Sequence, residues 1–182
     1  MTERIRWGIL GTAAIARSCI LPAIQKSNNS TAYALATRSP QSAEELCEQH
    51  NIQFLYGSFD ELLADPRLEV IYNPLPNHLH HSVTLRALQA GQHVLCEKPL
   101  ACSAAEAAAM VETAHRAKLL LMESWSYRFH PRSLLIKQMI GDGVIGSPYL
   151  LRIAFCFHLD QLGLSGDAPF RLNPDMGGGA LL

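Results

Sequence analysis

The chain has 182 residues, 48% of them hydrophobic, and its 15 basic and 16 acidic side chains leave a formal net charge of −1. This composition is ordinary for a globular core, and it argues against extensive disorder and against a basic surface for nucleic acid or anionic membranes. No apolar run reaches about 18 residues, the N-terminus lacks the apolar segment of a signal peptide and the five cysteines form no CxxC pair, so we expect a cytoplasmic protein without a membrane span.

Apolar runs and helical patterns alternate along the first two thirds of the chain. Strands are predicted at residues 6–10, 31–36, 52–55, 70–73, 93–96 and 119–123. Helices are predicted between them, from the first glycine turn to about residue 26, at 40–50, from 58, at 78–90 and at 103–118. This alternation, with short connections, is typical of a doubly wound parallel sheet. We therefore predict an α/β fold with a Rossmann dinucleotide-binding domain over residues 1–123.

Several helix boundaries carry local signals. Ser58 and Ser103 each begin a capping box, and a glycine ends the helix before the fifth strand. Ser39 and Asn77 are predicted to cap the helices that follow them. Pro22 falls inside the apolar pattern of the first helix and is expected to kink or shorten it.

The sixth strand is apolar enough to be covered on both faces, and the pattern changes after it. A helix is predicted from Pro131 to about Ile140, and the alternating stretch from Tyr149 to His158 favours an antiparallel strand. Residues 160–175 have the composition of a loop, and the glycines at 177–179 indicate the beginning of a further element. We therefore expect the start of an incomplete α+β domain over residues 124–182.

Residues 11–16, Gly-Thr-Ala-Ala-Ile-Ala, stand between the first strand and the first helix, where a dinucleotide-binding turn belongs. Gly11 would make the tight turn, and the N-terminus of the helix would receive a pyrophosphate. Ala13 replaces the second glycine of the usual pattern. Its methyl group narrows the space in which the backbone approaches the pyrophosphate but does not prevent that approach. The alternative is a turn with a purely structural role.

The end of the second strand bears on the choice of dinucleotide. A NAD site requires an acid near this point for the ribose 2′-hydroxyl, but after Thr37-Arg38-Ser39 no acid appears before Glu44. Two hydroxyls and a guanidinium suit a 2′-phosphate, and Arg38 could also stack on adenine. The pattern favours NADP over NAD, and a solvated surface arginine is the alternative.

Histidines follow the fourth strand at positions 78, 80 and 81. His78 and His81 would share a helix face, but no carboxylate accompanies them at a ligand spacing and Cys96 is expected to point into the sheet. We therefore predict no metal site. The loop of residues 74–76, which two prolines stiffen, is instead expected to shape the cofactor site.

Residues 93–100, His-Val-Leu-Cys-Glu-Lys-Pro-Leu, place Lys98 just beyond the C-terminal end of an internal strand. Ligands of open α/β sheets bind outside that edge, and a partly desolvated ammonium there can polarise a substrate oxygen. Pro99 would restrict the backbone after the lysine. The alternative is a surface ion pair between Glu97 and Lys98.

At these residues the chain resembles the glucose–fructose oxidoreductase / inositol dehydrogenase (Gfo/Idh/MocA) family. The resemblance covers the whole chain and rests on segments 11–16, 75–80, 90–100, 127–131 and 177–182. Segment 90–100, Ala-Gly-Gln-His-Val-Leu-Cys-Glu-Lys-Pro-Leu, is the most specific of them. Within the family, the first strand with its turn and residues 74–77 look most like NADP-dependent D-xylose dehydrogenases and dimeric dihydrodiol dehydrogenases.

The resemblance implies that Lys98 is the catalytic lysine and that a cis peptide bond follows it. It also implies that Tyr127 and Arg128 face the substrate. The cofactor-binding residues that it implies are Gly11, Thr12, Ala13, Ile15, Thr37, Arg38, Leu75, Asn77, His80, Glu97 and Lys98.

The activity that the resemblance implies is hydride transfer between NADP and a sugar or cyclic diol, with homo-oligomers among full-length relatives. In the family, the segment like 177–181 leads to an aspartate and to the tyrosine or histidine that completes proton transfer, and this sequence ends before them. We therefore expect a C-terminally truncated chain that binds NADP with little or no turnover. A non-catalytic NADP-binding module is the alternative. A protein without a cofactor would leave Thr37-Arg38 and Glu97-Lys98-Pro99 unexplained.

Overall fold

Six parallel strands form the centre of the computed structural model, which describes residues 4–154, 156 and 173–178. The strands are β1 (Ile5–Leu10), β2 (Ser30–Ala36), β3 (Phe54–Tyr56), β4 (Val70–Asn73), β5 (His93–Cys96) and β6 (Leu121–Glu123). They pair in the order β3-β2-β1-β4-β5-β6, and every pair is parallel. The order reverses between β1 and β4, as in a doubly wound Rossmann sheet, so the predicted fold class is confirmed.

Helices connect the strands and lie on both faces of the sheet. They are α1 (Leu21–Lys26), α2 (Glu44–His50), α3 (Phe59–Leu63), α4 (Asn77–Gln89), α5 (Ala104–Ala117) and, after the sheet, α6 (Pro131–Gly141). A π-helical turn, Ala16–Ile20, leads into α1, and 3-10 turns stand at Pro40–Ala43, Ser126–Phe129 and Pro174–Met176. The helices predicted at 78–90, 103–118 and 131–140 are confirmed to within one residue at each end.

Local hydrogen bonds begin or end three of these helices as predicted. The Oγ atoms of Ser58 and Ser103 accept from the backbone N–H groups of Glu61 and Glu106, each at 3.2 Å. Gly91 follows α4 with φ +85°, a conformation that glycine adopts without steric cost. These signals act within four residues, and the local sequence was enough to identify them.

Two other predicted caps are wrong. The Ser39 side chain makes no capping hydrogen bond, and Ser42 Oγ instead donates to the Ser39 carbonyl at 2.8 Å. Asn77 lies inside the first turn of α4, after Pro76 at the cap position. Its side-chain amide donates to the carbonyl of Gly177 at 2.6 Å, so a distant backbone group takes the place of the local one.

The helical run of residues 14–26 continues through Pro22, so the expected shortening at the proline is wrong. Pro22 stands in the first turn of α1, directly after the π-helical turn. Proline is tolerated there because the N–H that it lacks needs no partner within the α-helix. The wider π turn changes the hydrogen-bond register before the proline is reached.

Each face of the sheet is covered by its own apolar cluster. Ile9 and Leu10 are adjacent in β1, fully buried, and belong to opposite clusters. Tyr72 and Ile71 divide in the same way in β4. Burial of one such side chain contributes about 1.5–3 kcal/mol, so the central strands hold the loops at their carboxyl ends in fixed positions.

β6 forms one edge of the sheet. Among the described strands it pairs with β5 alone, and its Met122 is 41% exposed. The prediction that this strand is covered on both faces is therefore wrong for the described part of the chain.

Residues 149–154 and 156 form no strand, so the predicted antiparallel strand from Tyr149 to His158 is wrong over these positions. A strand needs a hydrogen-bonded neighbour, and the described residues supply none to this segment. Residues 157–172 and 179–182, with most of the predicted loop 160–175 and the end of the glycine-rich segment, lie outside the described structure. No helix in the part of the chain that is described is both long enough and apolar enough to cross a membrane.

Candidate functional site

Four loops meet at the carboxyl edge of the central strands. They follow β1, β2, β4 and β5, which are neighbours in the sheet. Every residue predicted to bind the cofactor lies in one of these loops or at the start of the helix that follows it. Open α/β sheets bind ligands at this edge, where the strand order reverses. The structure therefore brings the predicted residues to a single edge.

The loop after β1 turns at Gly11, which has φ +75°. Its N–H donates to the Ala36 carbonyl at 2.7 Å and ties this loop to the end of β2. A Cβ atom at Gly11 would lie 3.6 Å from Leu75 Cδ2, which is an ordinary contact, so there is room for a side chain. Glycine is favoured here because of the backbone conformation alone. Thr12 and Ala13 are half-buried after this turn, and Ile15 is 40% exposed.

The loop after β2 presents Arg38. Thr37 is buried, its N–H donates to the Tyr56 carbonyl at 3.1 Å, and its Oγ1 accepts from the Ser39 N–H at 3.4 Å. Arg38 is exposed, and its guanidinium makes no hydrogen bond or ion pair with a described residue. A fixed backbone thus carries a cation that can bind an anion.

Buried side chains hold the loop after β4. Asn73 is fully buried, and its amide nitrogen donates to Thr84 Oγ1 at 3.1 Å. Its Oδ1 accepts from the Leu75 N–H at 3.3 Å. The loop that carries Leu75 is therefore anchored to α4 through the last residue of β4.

His80 joins the loop after β4 to the loop after β5. Its ring is fully buried, Nε2 lies 2.7 Å from the Leu75 carbonyl oxygen and Nδ1 lies 2.7 Å from the Pro99 carbonyl oxygen. Carbonyl oxygens only accept, so both contacts are hydrogen bonds when both ring nitrogens carry a proton. Both nitrogens are occupied by backbone groups, and any effect of His80 on a cofactor acts through the two loops.

Glu97 is held on both sides of its carboxylate. The buried Tyr72 hydroxyl donates to Oε1 at 2.9 Å, and the backbone N–H of Lys98 donates to Oε2 at 3.2 Å. Burial raises the pKa of the Tyr72 phenol, and the Glu97 carboxylate raises it further, so the phenol remains a donor. Glu97 therefore restrains the backbone from which Lys98 projects.

Lys98 is exposed, and its ammonium makes no hydrogen bond or ion pair with a described residue. The surface ion pair with Glu97 is thus not formed in the structure. The Lys98–Pro99 peptide bond is cis, as the family resemblance implies. Beyond it, Glu123 Oε1 accepts from the Leu100 N–H at 2.9 Å and anchors the loop to the end of β6.

A segment from the C-terminal part of the chain contacts the start of α4. Besides the hydrogen bond from Asn77, Gly177 lies so close that a Cβ atom there would be 2.5 Å from Cys102 Sγ and 2.9 Å from Asn77 Cβ. Gly177 also has φ +71°. Only glycine satisfies both conditions, and the contact fixes the orientation of the Asn77 amide.

Tyr127 and Arg128 lie in the 3-10 turn after β6. Tyr127 is 60% exposed and packs edge-on against Trp125, with ring centroids 5.6 Å apart. Both residues line a hollow of about 850 Å³ beside Glu123. Lys98 is not among the residues that line this hollow, although the loop after it is bound to Glu123, which does line it.

Cys96 is fully buried, which confirms that it points into the sheet, and burial raises the pKa of its thiol to about 12. Over residues 4–154, 156 and 173–178, no three histidine, cysteine or acidic side chains are grouped to hold a metal ion.

Sequence reasoning missed Tyr72, Asn73 and Glu123 as parts of this edge. Two of them share a signal, since Asn73 and Glu123 are polar residues at the last position of otherwise apolar strands. The edge as a whole suits an anionic dinucleotide, because it combines the Gly11 turn with two cations, Arg38 and Lys98, that the described residues leave unpaired.

The family model GFO_IDH_MocA, described as an oxidoreductase family with an NAD-binding Rossmann fold, matches residues 5–124. D-xylose 1-dehydrogenase (NADP(+)) 2 of Haloferax volcanii is 38% identical over 176 residues, which cover 97% of this chain and 52% of the relative. Trans-1,2-dihydrobenzene-1,2-diol dehydrogenase of Xenopus tropicalis is 32% identical over 182 residues, with 97% and 52% covered.

Among solved structures, KijD10, a 3-ketoreductase from Actinomadura kijaniata in complex with NADP, superposes with a TM-score of 0.74 at 34% identity. The match covers 80% of this chain and 46% of KijD10. The chain therefore spans about half the length of the relatives that it matches.

Proposed function

Because the chain belongs to the GFO_IDH_MocA oxidoreductase family, we propose that it binds NADP(H) at the carboxyl edge of its sheet. We further propose that the whole protein transfers a hydride between this cofactor and a sugar or cyclic diol. The observation that carries the proposal is the exposed Lys98 ammonium, without a partner among the described residues, at the end of the internal strand β5. The names of relatives support the substrate class, since they specify D-xylose and a dihydrobenzenediol.

In this proposal each loop contacts a different part of the cofactor. Residues 11–15 lie along the pyrophosphate, and Thr37 and Arg38 meet the adenosine 2′-phosphate. Leu75 and Asn77 border the nicotinamide. His80 fixes the position of the loop that carries Leu75 relative to the loop that carries Lys98.

The proposed role of Lys98 is to bind the substrate oxygen. When bound, the nicotinamide accepts or supplies the hydride. The Lys98 ammonium donates a hydrogen bond to the oxygen on the reacting carbon and stabilises the negative charge that develops on it. Glu97 restrains the Lys98 backbone, and Tyr72 restrains Glu97, so the ammonium is presented from a fixed point.

We propose that residues 1–123 form the dinucleotide-binding domain and that residues 124–182 begin a substrate domain in which Tyr127 and Arg128 face the substrate. A cytoplasmic location and homo-oligomers among longer relatives stay predictions. A non-catalytic NADP-binding module is the second candidate, and the observation that favours it is that Lys98 is not among the described residues that line the hollow beside Tyr127 and Arg128.

The test compares binding and turnover in the 182-residue chain and in a version extended beyond residue 182. NADPH binding is followed by fluorescence, and NADPH formation is assayed with D-xylose and with a trans-dihydrodiol. Lys98→Ala should lower turnover at least about 100-fold, while the matched control Lys26→Ala, an exposed lysine on α1, should not.

Two results would contradict the proposed enzymatic activity. Binding of NADPH without turnover in both versions would favour the non-catalytic module. Failure of the chain to bind NADPH or NADH would overturn the proposed function altogether.

A further inference from the structure

A hollow of about 680 Å³ lies between the helical segment that follows the Gly11 turn and α2. One wall carries Thr12 and Arg17, and the other carries Ser42 and Glu45. Thr12 belongs to the glycine turn, so the hollow adjoins the loop that the proposed function assigns to the pyrophosphate.

Arg17 lines this hollow, and its guanidinium has no partner among the described residues. It is exposed, and its guanidinium makes no hydrogen bond, ion pair or ring contact with a described residue, although Glu45 lines the same space. His50, only 6% exposed, also lines the hollow, and its Nδ1 has no hydrogen-bond partner within the described structure. A guanidinium has five donors in a planar fork that matches phosphate oxygens.

The wall opposite Arg17 is tied to the end of β2. Ser42 Oγ donates to the Ser39 carbonyl at 2.8 Å, and the Ser39 N–H donates to Thr37 Oγ1 at 3.4 Å. Ser42 is therefore linked through two hydrogen bonds to the residue that, with Arg38, is expected to meet the 2′-phosphate. A phosphate between Thr12 and Ser42 would lie in the hollow that Arg17 also lines.

From these contacts we propose that Arg17 is a second cation for the 2′-phosphate of NADP(H), opposite Arg38, and thereby helps to select NADP over NAD. This inference rests on the proposed function, because it concerns the same cofactor. Glu45 opposes the binding of an anion from the facing wall, so its carboxylate limits the affinity that Arg17 provides.

The experiment measures the dissociation constants of NADPH and NADH for the 182-residue chain and four variants. The two cofactors differ only in the 2′-phosphate, so an effect confined to NADPH reports contact with that group. Arg17→Ala should raise the constant for NADPH about tenfold, the size of one charge-assisted hydrogen bond at a partly exposed site, and leave that for NADH within twofold. Glu45→Gln should lower the constant for NADPH two- to threefold.

Two further variants complete the design. Arg116→Ala is the matched control, an exposed arginine on α5, and should change neither constant. Arg38→Ala tests the proposed cofactor preference independently of Arg17. If Arg17→Ala raises both constants equally, or neither, while Arg38→Ala weakens NADPH alone, the role of Arg17 is refuted and the proposed function stands. If the unaltered chain binds NADH as tightly as NADPH and Arg38→Ala affects neither constant, the role of Arg17 and the preference for NADP are both refuted, while the proposed dinucleotide site stands.

Discussion

Replacement of His80 by alanine should test whether one buried ring holds the candidate site together. The imidazole is fully buried and contacts the carbonyl oxygens of Leu75 and Pro99 at 2.7 Å each. The loss of a hydrogen bond to each of these partly buried carbonyls costs about 1 kcal/mol, and the space left by the buried ring costs a further amount, part of which entering water would recover. We therefore expect the free energy of unfolding to fall by about 3 kcal/mol, a large share of the stability of an ordinary domain.

The assay is urea unfolding of the 182-residue chain followed by circular dichroism, with a melting curve beside it. For a chain of this size, a loss of 3 kcal/mol should lower Tm by about 6–12 °C. His78→Ala is the matched control, an exposed histidine in the same turn of α4, and should change stability by less than about 0.5 kcal/mol. NADPH affinity should fall in His80→Ala alone, since only that variant releases both loops. If the two variants lose the same stability, the reasoning about His80 is wrong.

Three further outcomes follow from the described residues. Asp65 accepts hydrogen bonds from Arg67 at 2.8 and 2.9 Å, and these hold the pKa of its carboxyl below the ordinary 3.8. This contribution is complete above pH 3.8 and is lost as the pH falls through the lower folded-state value, so Asp65→Asn should cost about 2 kcal/mol in urea unfolding at pH 7 and less at pH 3. An equal cost at both pH values would contradict this assignment. Cys96 is fully buried, and burial raises the pKa of its thiol to about 12, so it should resist a thiol reagent that modifies the exposed Cys19. Peptide mapping by mass spectrometry will show which of the two cysteines is modified. Gly11→Ala should cost about 1–2 kcal/mol because φ is +75°, and should weaken NADPH binding measurably by fluorescence; unchanged affinity would remove Gly11 from the site.

The local sequence predicted those features whose causes lie within a few residues. The caps at Ser58 and Ser103 are side chains that bind the backbone three residues later. The strands follow from apolar runs whose neighbours in sequence bury opposite faces, as Ile9 and Leu10 do. Such preferences act before the chain is compact, so they can be recognised without knowledge of the fold.

The errors occurred where a side chain had a choice of partners. Asn77 can cap its own helix or bind elsewhere, and it binds the carbonyl of Gly177. The predicted strand after Tyr149 has apolar alternation, but a strand also needs a neighbouring strand, and over the described positions of that segment there is none. Sequence reasoning had no means of weighing these partners, because they are close only in space.

The sequence by itself determined the alternating elements, the glycine turn and the placement of Arg38 and Lys98 after strands, because periodicity and turn chemistry are local properties. Only the tertiary structure decided which loops share an edge and which side chains join them. His80 connects the loops after β4 and β5, and Tyr72 supports Glu97 across 25 positions of sequence. Contacts of this kind depend on strand order and burial, which result from packing the whole sheet at once.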